Sequence, residues 1–266
     1  MNKNQREIEI IFESNDFLVI DKPANLLVHP TPEGNSGHQT SNNKQISKSK
    51  NIQKSKISNL KSYTLIDWLI EKYPGIKTVG DQPEIRPGIV HRLDKETSGI
   101  MIIAKNQLTF EKLKKLFQTR QVEKTYLTLV LGRMPKEKGE INLKIAKSPV
   151  STKRTAKIRP GQKLSEAKTE WKVLKTYKNQ QNQIFSLLEL KPKTGRTHQL
   201  RVHLAAIGHP IISDYLYGGK TARGYRLQLN RVFLHAKSLE FELDKTNYFF
   251  EAPLAKDLSD FLLTLK

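Results

Sequence analysis

The sequence contains no cysteine among its 266 residues, which excludes disulfide bonds and metal sites built from thiolates. It also has no apolar run near the roughly 18 residues that a membrane-spanning helix needs. The N-terminal segment lacks the apolar core of a signal peptide. These absences predict a protein of the reducing cytoplasm that is not anchored in a membrane.

Several common catalytic motifs are missing as well. The sequence has no GxxxxGK[ST] phosphate loop, no GxGxxG fingerprint and no GxSxG nucleophile elbow around Ser98. His198 and His203 are five residues apart, a spacing that does not place both on one face of a helix or a strand. They therefore do not form a zinc-binding pair, and we expect no metal site.

Acidic residues are few compared with basic ones. The chain has 26 Asp and Glu against 46 Lys and Arg, and its formal net charge is +20. Such an excess favours a polyanionic partner, above all nucleic acid, because each phosphate contact releases condensed counterions. A lysine-rich surface that only increases solubility is the alternative. Binding to a membrane surface is the weaker hypothesis, since neither end has a basic amphipathic segment with an aromatic face.

The hydrophobic pattern predicts an α+β fold with a largely antiparallel sheet, because alternating strand patterns outnumber helical ones. Alternation predicts strands at 7–11, 17–21, 124–133, 141–147, 168–177, 183–191, 234–243 and 247–253. Helical periodicity predicts helices within 64–75, 109–121, 196–210 and 256–266. We find no internal repeat and expect a single domain over residues 1–266.

One segment, residues 33–62, differs from the rest in composition. It is dominated by Ser, Asn, Gln and Lys, with few apolar residues. Such a segment cannot bury enough apolar surface to offset the entropy of ordering it. We predict a disordered insertion. Its six lysines could contact RNA, but solvated padding is the favoured interpretation.

Three polar clusters remain: HRLDKETSG (91–99), EKTY (123–126) and KPKTGRTHQLRVH (191–203). In the first, Asp94 lies between Arg92 and Lys95, which should keep the carboxylate ionised. An ionised carboxylate suits nucleophilic attack on a sugar carbon better than acid catalysis. The alternative is an ordinary turn aspartate paired with surface bases.

The other two clusters offer an aromatic ring and two arginines. Tyr126 points away from the leucine stripe of its predicted strand. Arg196 and Arg201 surround a predicted helix start, with Thr197 as a possible cap. A helix terminus that faces phosphate without taking part in catalysis is the alternative for this cluster.

In this order, the clusters resemble the signature of the RluA-type pseudouridine synthases. The matching segments are DKPANLLVHP, HRLDKETSGIMIIAK, VEKTY, PKTGRTHQLRVHLAAIGHPIISDYLYG and RVFLHAKSLEF. The resemblance covers about residues 8 to 255 apart from the insertion. It implies a single catalytic domain with a mostly antiparallel central sheet flanked by helices and loops. No S4 RNA-binding domain is expected, because the first catalytic-domain strand starts near residue 7.

The resemblance implies isomerisation of uridine to pseudouridine within RNA, without a cofactor. We expect the substrate to be ribosomal or transfer RNA and take a monomer as the default. Asp94 would attack the sugar C1′ or stabilise its cation, and Arg201 would form an ion pair with it. Arg92 would fill the gap left by the flipped uridine. Tyr126 would lie against the uracil ring and assist proton transfer. Further candidate RNA contacts are His91, Lys124, Arg196 and His198.

The residue types agree with this chemistry. Glycosidases use two carboxylates because an alkoxide leaving group must be protonated. Uracil leaves as a stabilised anion, so one carboxylate suffices. Two rival hypotheses remain, a catalytically silent RNA-binding factor and a hydrolase that uses His91, Asp94 and Ser98.

Two positions depart from the family pattern, since Asn25 and Ser213 stand where the family usually has glycine. Asn tolerates positive φ better than other non-glycine residues, so the turn at Asn25 should survive. We expect no consequence at Ser213.

Overall fold

The computed structural model describes residues 8–30, 63–148 and 153–266. Its strands are β1 (Glu9–Glu13), β2 (Phe17–Lys22), β3 (Ser98–Ala104), β4 (Glu123–Leu131), β5 (Lys138–Asn142), β6 (Ile145–Lys147), β7 (Arg154–Thr155), β8 (Leu164–Ser165), β9 (Lys168–Lys178), β10 (Ile184–Pro192), β11 (Leu234–Leu243) and β12 (Thr246–Glu251). Its α-helices are α1 (Leu65–Lys72), α2 (Gln107–Gln118), α3 (Gln199–Ala206), α4 (Gly219–Gly224) and α5 (Lys256–Leu263). The predicted insertion at 33–62 lies outside the described residues.

Nine strands form the main sheet, in the order β1-β2-β3-β11-β4-β10-β9-β5, with β12 paired to β11. Among the strand pairs of the described residues, β3 and β11 run parallel and the other pairs are antiparallel. Strands β7, β6 and β8 form a small second sheet. The α+β fold with a mostly antiparallel sheet is confirmed.

Local sequence signals account for the helix that follows the undescribed segment. Thr64 caps α1, and its hydroxyl accepts a hydrogen bond from the backbone N–H of Asp67. The Asp67 carboxylate accepts in return from the backbone N–H of Thr64 at 2.8 Å, which completes a capping box. The helix ends at Lys72, two residues before Pro74.

Two hydrophobic clusters fill the two halves of the sheet. One packs β1, β2 and β3 against α1 and α2. The other packs β4, β10, β9 and β5 against α3 and α5. Tyr126 on β4 contacts both clusters, so the boundary between the two halves lies at this side chain.

Gly99 allows β3 to approach β11 closely. Its φ is +113°, and a Cβ at this position would lie 2.1 Å from the carbonyl oxygen of Ala236. Any other residue would push the two strands apart. The glycine therefore holds the polar loop that precedes β3 against the centre of the sheet.

In the part of the chain that the structure describes, no helix is long and apolar enough to cross a membrane.

We predict that Ser213→Gly stabilises the protein. Ser213 is fully buried, has a φ of 62° and has a hydroxyl without a hydrogen-bond partner. Glycine removes both the backbone strain and the unsatisfied hydroxyl, at the expense of some entropy. We expect a gain of about 1 kcal/mol, or about 2–4 °C in melting temperature. Ser213→Ala, which removes the hydroxyl but keeps the strained Cβ, should gain less; a lower melting temperature for Ser213→Gly would contradict the prediction.

We also predict that His235 makes stability depend on pH. Burial lowers the pKa of His235 to about 4, and its Nδ1 lies 2.9 Å from the hydroxyl oxygen of Ser98. Between about pH 6.5 and pH 4 the unfolded state binds the proton and the folded state does not, so stability falls as the pH falls.

Urea unfolding of the wild type and of His235→Gln at pH 6.5 and pH 5 measures this effect, since the comparison cancels the other titrating groups. The wild type should lose about 1–2 kcal/mol more than the variant. Equal losses would show that His235 is not the neutral, buried group that the structure indicates.

Candidate active site

A cavity of about 600 Å³ opens where the two halves of the sheet meet. Its lining comes from the loop before β3, the start of β4 and the segment between β10 and α3. Among the described residues, the lining contains one carboxylate, Asp94, and seven cationic side chains. These are Arg86, Arg92, Arg120, Lys124, Lys193, Arg196 and Arg201.

Asp94 reaches this cavity from the loop before β3, with 23% of its side chain exposed. The Arg201 Nη1 atom lies 3.7 Å from its Oδ2, and the His198 Nε2 atom lies 3.8 Å from its Oδ1. Both distances exceed that of a tight hydrogen bond. The carboxylate therefore faces a guanidinium and an imidazole nitrogen without a tight hydrogen bond to either.

Arg201 has a tighter partner than Asp94. It donates two hydrogen bonds to Asp214, with Nε–Oδ2 at 2.8 Å and Nη2–Oδ1 at 2.7 Å. Both side chains are buried, and Glu96 lies 3.9 Å from Nη2. Burial opposes the charge, but the bonds to Asp214 and the charges of the three carboxylates outweigh it and raise the pKa of Arg201. The Arg201 guanidinium thus lies within 4 Å of three carboxylates, those of Asp94, Glu96 and Asp214.

Asp214 is a residue of the site that was not predicted from the sequence motifs. Its carboxylate also accepts the backbone N–H groups of Leu216 and Tyr217 at 2.9 and 3.0 Å. These bonds fix the turn after Ser213 and orient the carboxylate toward Arg201. The signal that could have found it is that Asp214 is the sole acidic residue of the long motif PKTGRTHQLRVHLAAIGHPIISDYLYG.

Three hydrogen-bond donors hold the backbone carbonyls of the loop that carries Asp94. The fully buried Lys22 ammonium donates to the carbonyl of Lys95 at 3.4 Å, and the backbone N–H of Asn25 donates to the same oxygen at 2.7 Å. Arg231 donates to the carbonyl of Glu96 at 3.4 Å. Asn25 has a φ of 64°, so the expected positive-φ turn is present. The DKPANLLVHP segment therefore supports the loop.

Tyr126 and Lys124 reach the cavity from β4. Burial, and secondarily the negative charge of Asp94, raises the pKa of Tyr126, so its phenol is neutral at physiological pH. Burial and the nearby charges of Arg120 and Lys193 lower the pKa of Lys124. Its ammonium lies 5.8 Å from the centre of the Phe117 ring.

His91 lies in the cavity wall. Its Nε2 accepts the backbone N–H of Ile102 at 3.1 Å, and its ring stacks on Phe117 at 4.5 Å. Burial and the charge of Lys124 lower its pKa to about 3, so the ring is neutral. Arg92, by contrast, is exposed at the cavity entrance and contacts His29.

The segment before α3 corrects one expectation. Helix α3 begins at Gln199, and its N-cap is His198, with no hydrogen bond from a capping side chain. The prediction of Thr197 as the cap was wrong. The Gln199 side chain instead accepts the backbone N–H of Arg196 at 3.1 Å. The Arg196 guanidinium donates to a backbone carbonyl at 3.2 Å and is exposed.

Within residues 8–30, 63–148 and 153–266, no group of three or more His, Asp or Glu side chains could hold a metal ion.

Known proteins resemble this chain in sequence and in fold. A sequence model of the family described as RNA pseudouridylate synthase matches residues 70–206, just over half of the chain. The chain is 40% identical over 215 residues to an uncharacterized RNA pseudouridine synthase of Aquifex aeolicus (strain VF5), covering 81% of this chain and 57% of that protein. It is 32% identical to ribosomal large subunit pseudouridine synthase D of Nitrosomonas europaea, covering 97% and 65%.

The chain thus spans less than two thirds of the length of these two curated relatives. A solved structure, human RNA Pseudouridylate Synthase Domain Containing 1, superimposes with a TM-score of 0.69 at 24% identity, covering 97% of this chain and 94% of that one. That similarity shows the same fold. The family match, as the RluA-type motifs predicted, shows that the chain belongs to the RNA pseudouridylate synthase family.

Proposed function

We propose that this protein converts specific uridines in ribosomal or transfer RNA to pseudouridine, with Asp94 as the reacting carboxylate. The observation that carries the proposal is the composition of the cavity. Among the lining residues that the structure describes, one carboxylate stands beside a buried guanidinium and a neutral phenol, with six other cationic side chains around them.

The reaction is a redox-neutral isomerisation. The bond between C1′ and N1 breaks, a bond between C1′ and C5 forms, the C5 proton leaves and N1 gains a proton. Departing uracil is a stabilised anion, so the site needs no second carboxylate to protonate a leaving group, unlike a typical glycosidase. No cofactor is required to supply or remove electrons.

Each residue of the site has a role in this proposal. Asp94 attacks C1′ or stabilises the cation that forms there. The charge of Arg201 keeps Asp94 near the sugar. Because Arg201 makes its shorter hydrogen bonds to Asp214, it does not bind the Asp94 carboxylate tightly. Tyr126 lies against the uracil ring and passes a proton late in the reaction, because its raised pKa keeps the phenol protonated. Arg92, exposed at the entrance, enters the RNA stack.

The remaining lining binds the RNA backbone. Lys124 and Arg196 supply charge for phosphate contacts, together with Arg120 and Lys193. His91 contributes shape rather than charge, because burial keeps its ring neutral. Extrusion of the uridine costs a few kcal/mol, which stacking on aromatic rings and an inserted guanidinium offset.

Both rival hypotheses fit the structure less well. The hydrolase requires Ser98 as nucleophile, but this side chain is buried and its hydroxyl oxygen lies 2.9 Å from His235 Nδ1. The Nε2 atom of His91 accepts a hydrogen bond from the backbone N–H of Ile102, so this atom does not act as a general base. A catalytically silent factor gives no reason for the convergence of Asp94, Tyr126 and Arg201 on one cavity.

We propose that the enzyme acts in the cytoplasm, since its sequence uses no cysteine. The described residues would form one catalytic domain that works as a monomer. The name of the Nitrosomonas relative favours ribosomal RNA over transfer RNA as the substrate.

We predict that Asp94→Asn abolishes turnover and leaves RNA binding within about threefold of wild type, because phosphate contacts carry most of the affinity. The measurement is tritium release from unmodified ribosomal and transfer RNA transcripts labelled at uridine C5. Binding is measured on the same transcripts by filter retention.

Two variants serve as controls for this experiment. Asp81→Asn removes a carboxylate that pairs with Lys114 outside the cavity and should release tritium as the wild type does. Ser98→Ala should keep most of the tritium release, which would exclude Ser98 as the nucleophile that the hydrolase hypothesis requires. Undiminished tritium release by Asp94→Asn would refute the mechanism, and no release by wild type from either class would refute the proposed substrates.

We predict a steep salt dependence that originates in the cavity. The magnitude of the negative slope of log affinity against log salt should decrease by about 0.7 for each single-strand phosphate contact that is lost. The triple variant Arg120→Gln, Lys124→Gln, Lys193→Gln should therefore lower the slope by about two units.

The matched control carries the same change of charge at three lysines that do not line the cavity, Lys112, Lys144 and Lys256. Each of these pairs with a carboxylate, so its removal should leave the slope almost unchanged. Equal slopes for the two triple variants would show that the cavity is not where RNA binds.

A further inference from the structure

We propose that His198 is a positioning residue for Asp94, in which Tyr217 fixes the imidazole in the tautomer protonated on Nε2 and that N–H orients the Asp94 carboxylate. This inference rests on the proposed function. It assigns to His198 a role other than direct RNA contact.

The tautomer follows from a short chain of hydrogen bonds. The backbone N–H of Arg154 donates to the Tyr217 hydroxyl oxygen at 2.9 Å. The same hydroxyl lies 2.9 Å from His198 Nδ1. Because the oxygen already accepts from Arg154, its own proton is available for Nδ1, which becomes the acceptor. The ring proton is then on Nε2, the atom that faces Asp94.

The opposite tautomer would be unfavourable at both ends of the ring. With the proton on Nδ1, the Tyr217 oxygen would accept twice, and its own O–H would have to turn away. The lone pair of Nε2 would then point at the Asp94 carboxylate 3.8 Å away, and the two would repel.

The surroundings also keep the ring neutral. Asp94 and Asp214 attract a second proton, whereas Arg201 and Arg154 oppose it. Burial is the largest influence, and the pKa of His198 is lowered overall. Neutrality matters, because an imidazolium would compete with Arg201 for the carboxylate instead of presenting a single N–H.

The backbone at His198 is held in an unusual conformation that aims the ring. Its φ is 56° and its ψ is 19°, in the left-handed region, which costs a non-glycine residue about 1–2 kcal/mol. The turn is held by Gln199, whose side chain contacts Thr194, the backbone N–H of Arg196, and Thr169 on β9. Backbone strain at a functional site is commonly maintained by such surrounding contacts.

The present distance suits a resting site. A charge-assisted N–H···O bond is about 2.7–2.9 Å long, so the carboxylate has to close by about 1 Å. Catalytic hydrogen bonds are often long before substrate binds and shorten in the complex. His198 thus provides a defined position for Asp94 to occupy when the flipped uridine enters.

Nitrogen NMR of the full chain labelled with ¹⁵N-histidine tests the tautomer without any reference to activity. His198→Asn identifies the His198 signals by their loss among those of the seven histidines. We expect wild type at pH 7.5 to show a protonated Nε2 and an unprotonated Nδ1. Tyr217→Phe should populate the other tautomer. A wild-type ring protonated on Nδ1, or on both nitrogens, would overturn the proposal.

Kinetics of two substitutions then tests the role. The amide of His198→Gln can place an N–H near the Nε2 position, whereas the shorter His198→Asn tolerates the left-handed backbone but cannot reach Asp94. In single-turnover tritium release, the Asn variant should be about tenfold or more slower, with RNA affinity within twofold of wild type. The Gln variant should recover to within about threefold of the wild-type rate.

The alternative roles give different results. Loss of affinity at an unchanged rate would make His198 an RNA contact, and equal rates for the Asn and Gln variants would show that no N–H is needed. Either outcome overturns the positioning role. Absence of tritium release by wild type would refute the proposed function. The NMR measurement would still decide which nitrogen of His198 carries the proton, because it does not depend on activity.

Discussion

The buried guanidinium of Arg201 is the group around which the site is built. A buried charge without a partner costs several kcal/mol, and Asp214 provides a bidentate partner at 2.7–2.8 Å. Once Arg201 is paired in this way, its third nitrogen can face Asp94 at 3.7 Å without binding it tightly. The pairing with Asp214 therefore leaves the Asp94 carboxylate available to a substrate.

The sheet brings this arrangement to one place. Strands β3 and β11 run side by side because Gly99 leaves no Cβ between them, and β4 follows β11 in the sheet order. The loop with Asp94 enters from β3, and Tyr126 enters from β4. Lys22 and Arg231 fix the loop through its carbonyl oxygens, so its side chains are left for other contacts. The carbonyl oxygens of the loop thus hold it in place, while the Asp94 side chain faces the cavity.

Much of this could be predicted from sequence, and the remainder could not for identifiable reasons. Alternation of apolar residues placed β10 and β11 within one residue of their observed bounds, and it placed Tyr126 off the leucine stripe. Periodicity does not report strand order, nor that Lys22 is fully buried, since lysine is ordinarily exposed. Ser213, which precedes Asp214, and His198 both have a positive φ, a conformation that few non-glycine residues adopt and that residue type alone does not predict.

In the proposed reaction, the cations that bind RNA are distinct from the groups that react. Cations of the lining would neutralise phosphates of the proposed RNA substrate, and they need no defined geometry to do so. The groups that contact the base and sugar in the proposed reaction are instead held in one protonation state. Burial keeps Tyr126 protonated and His198 neutral, so neither competes with Arg201 as a charge at Asp94. In a cavity with a large positive charge, the cation that faces Asp94 is in this way the Arg201 guanidinium, which Asp214 holds in place.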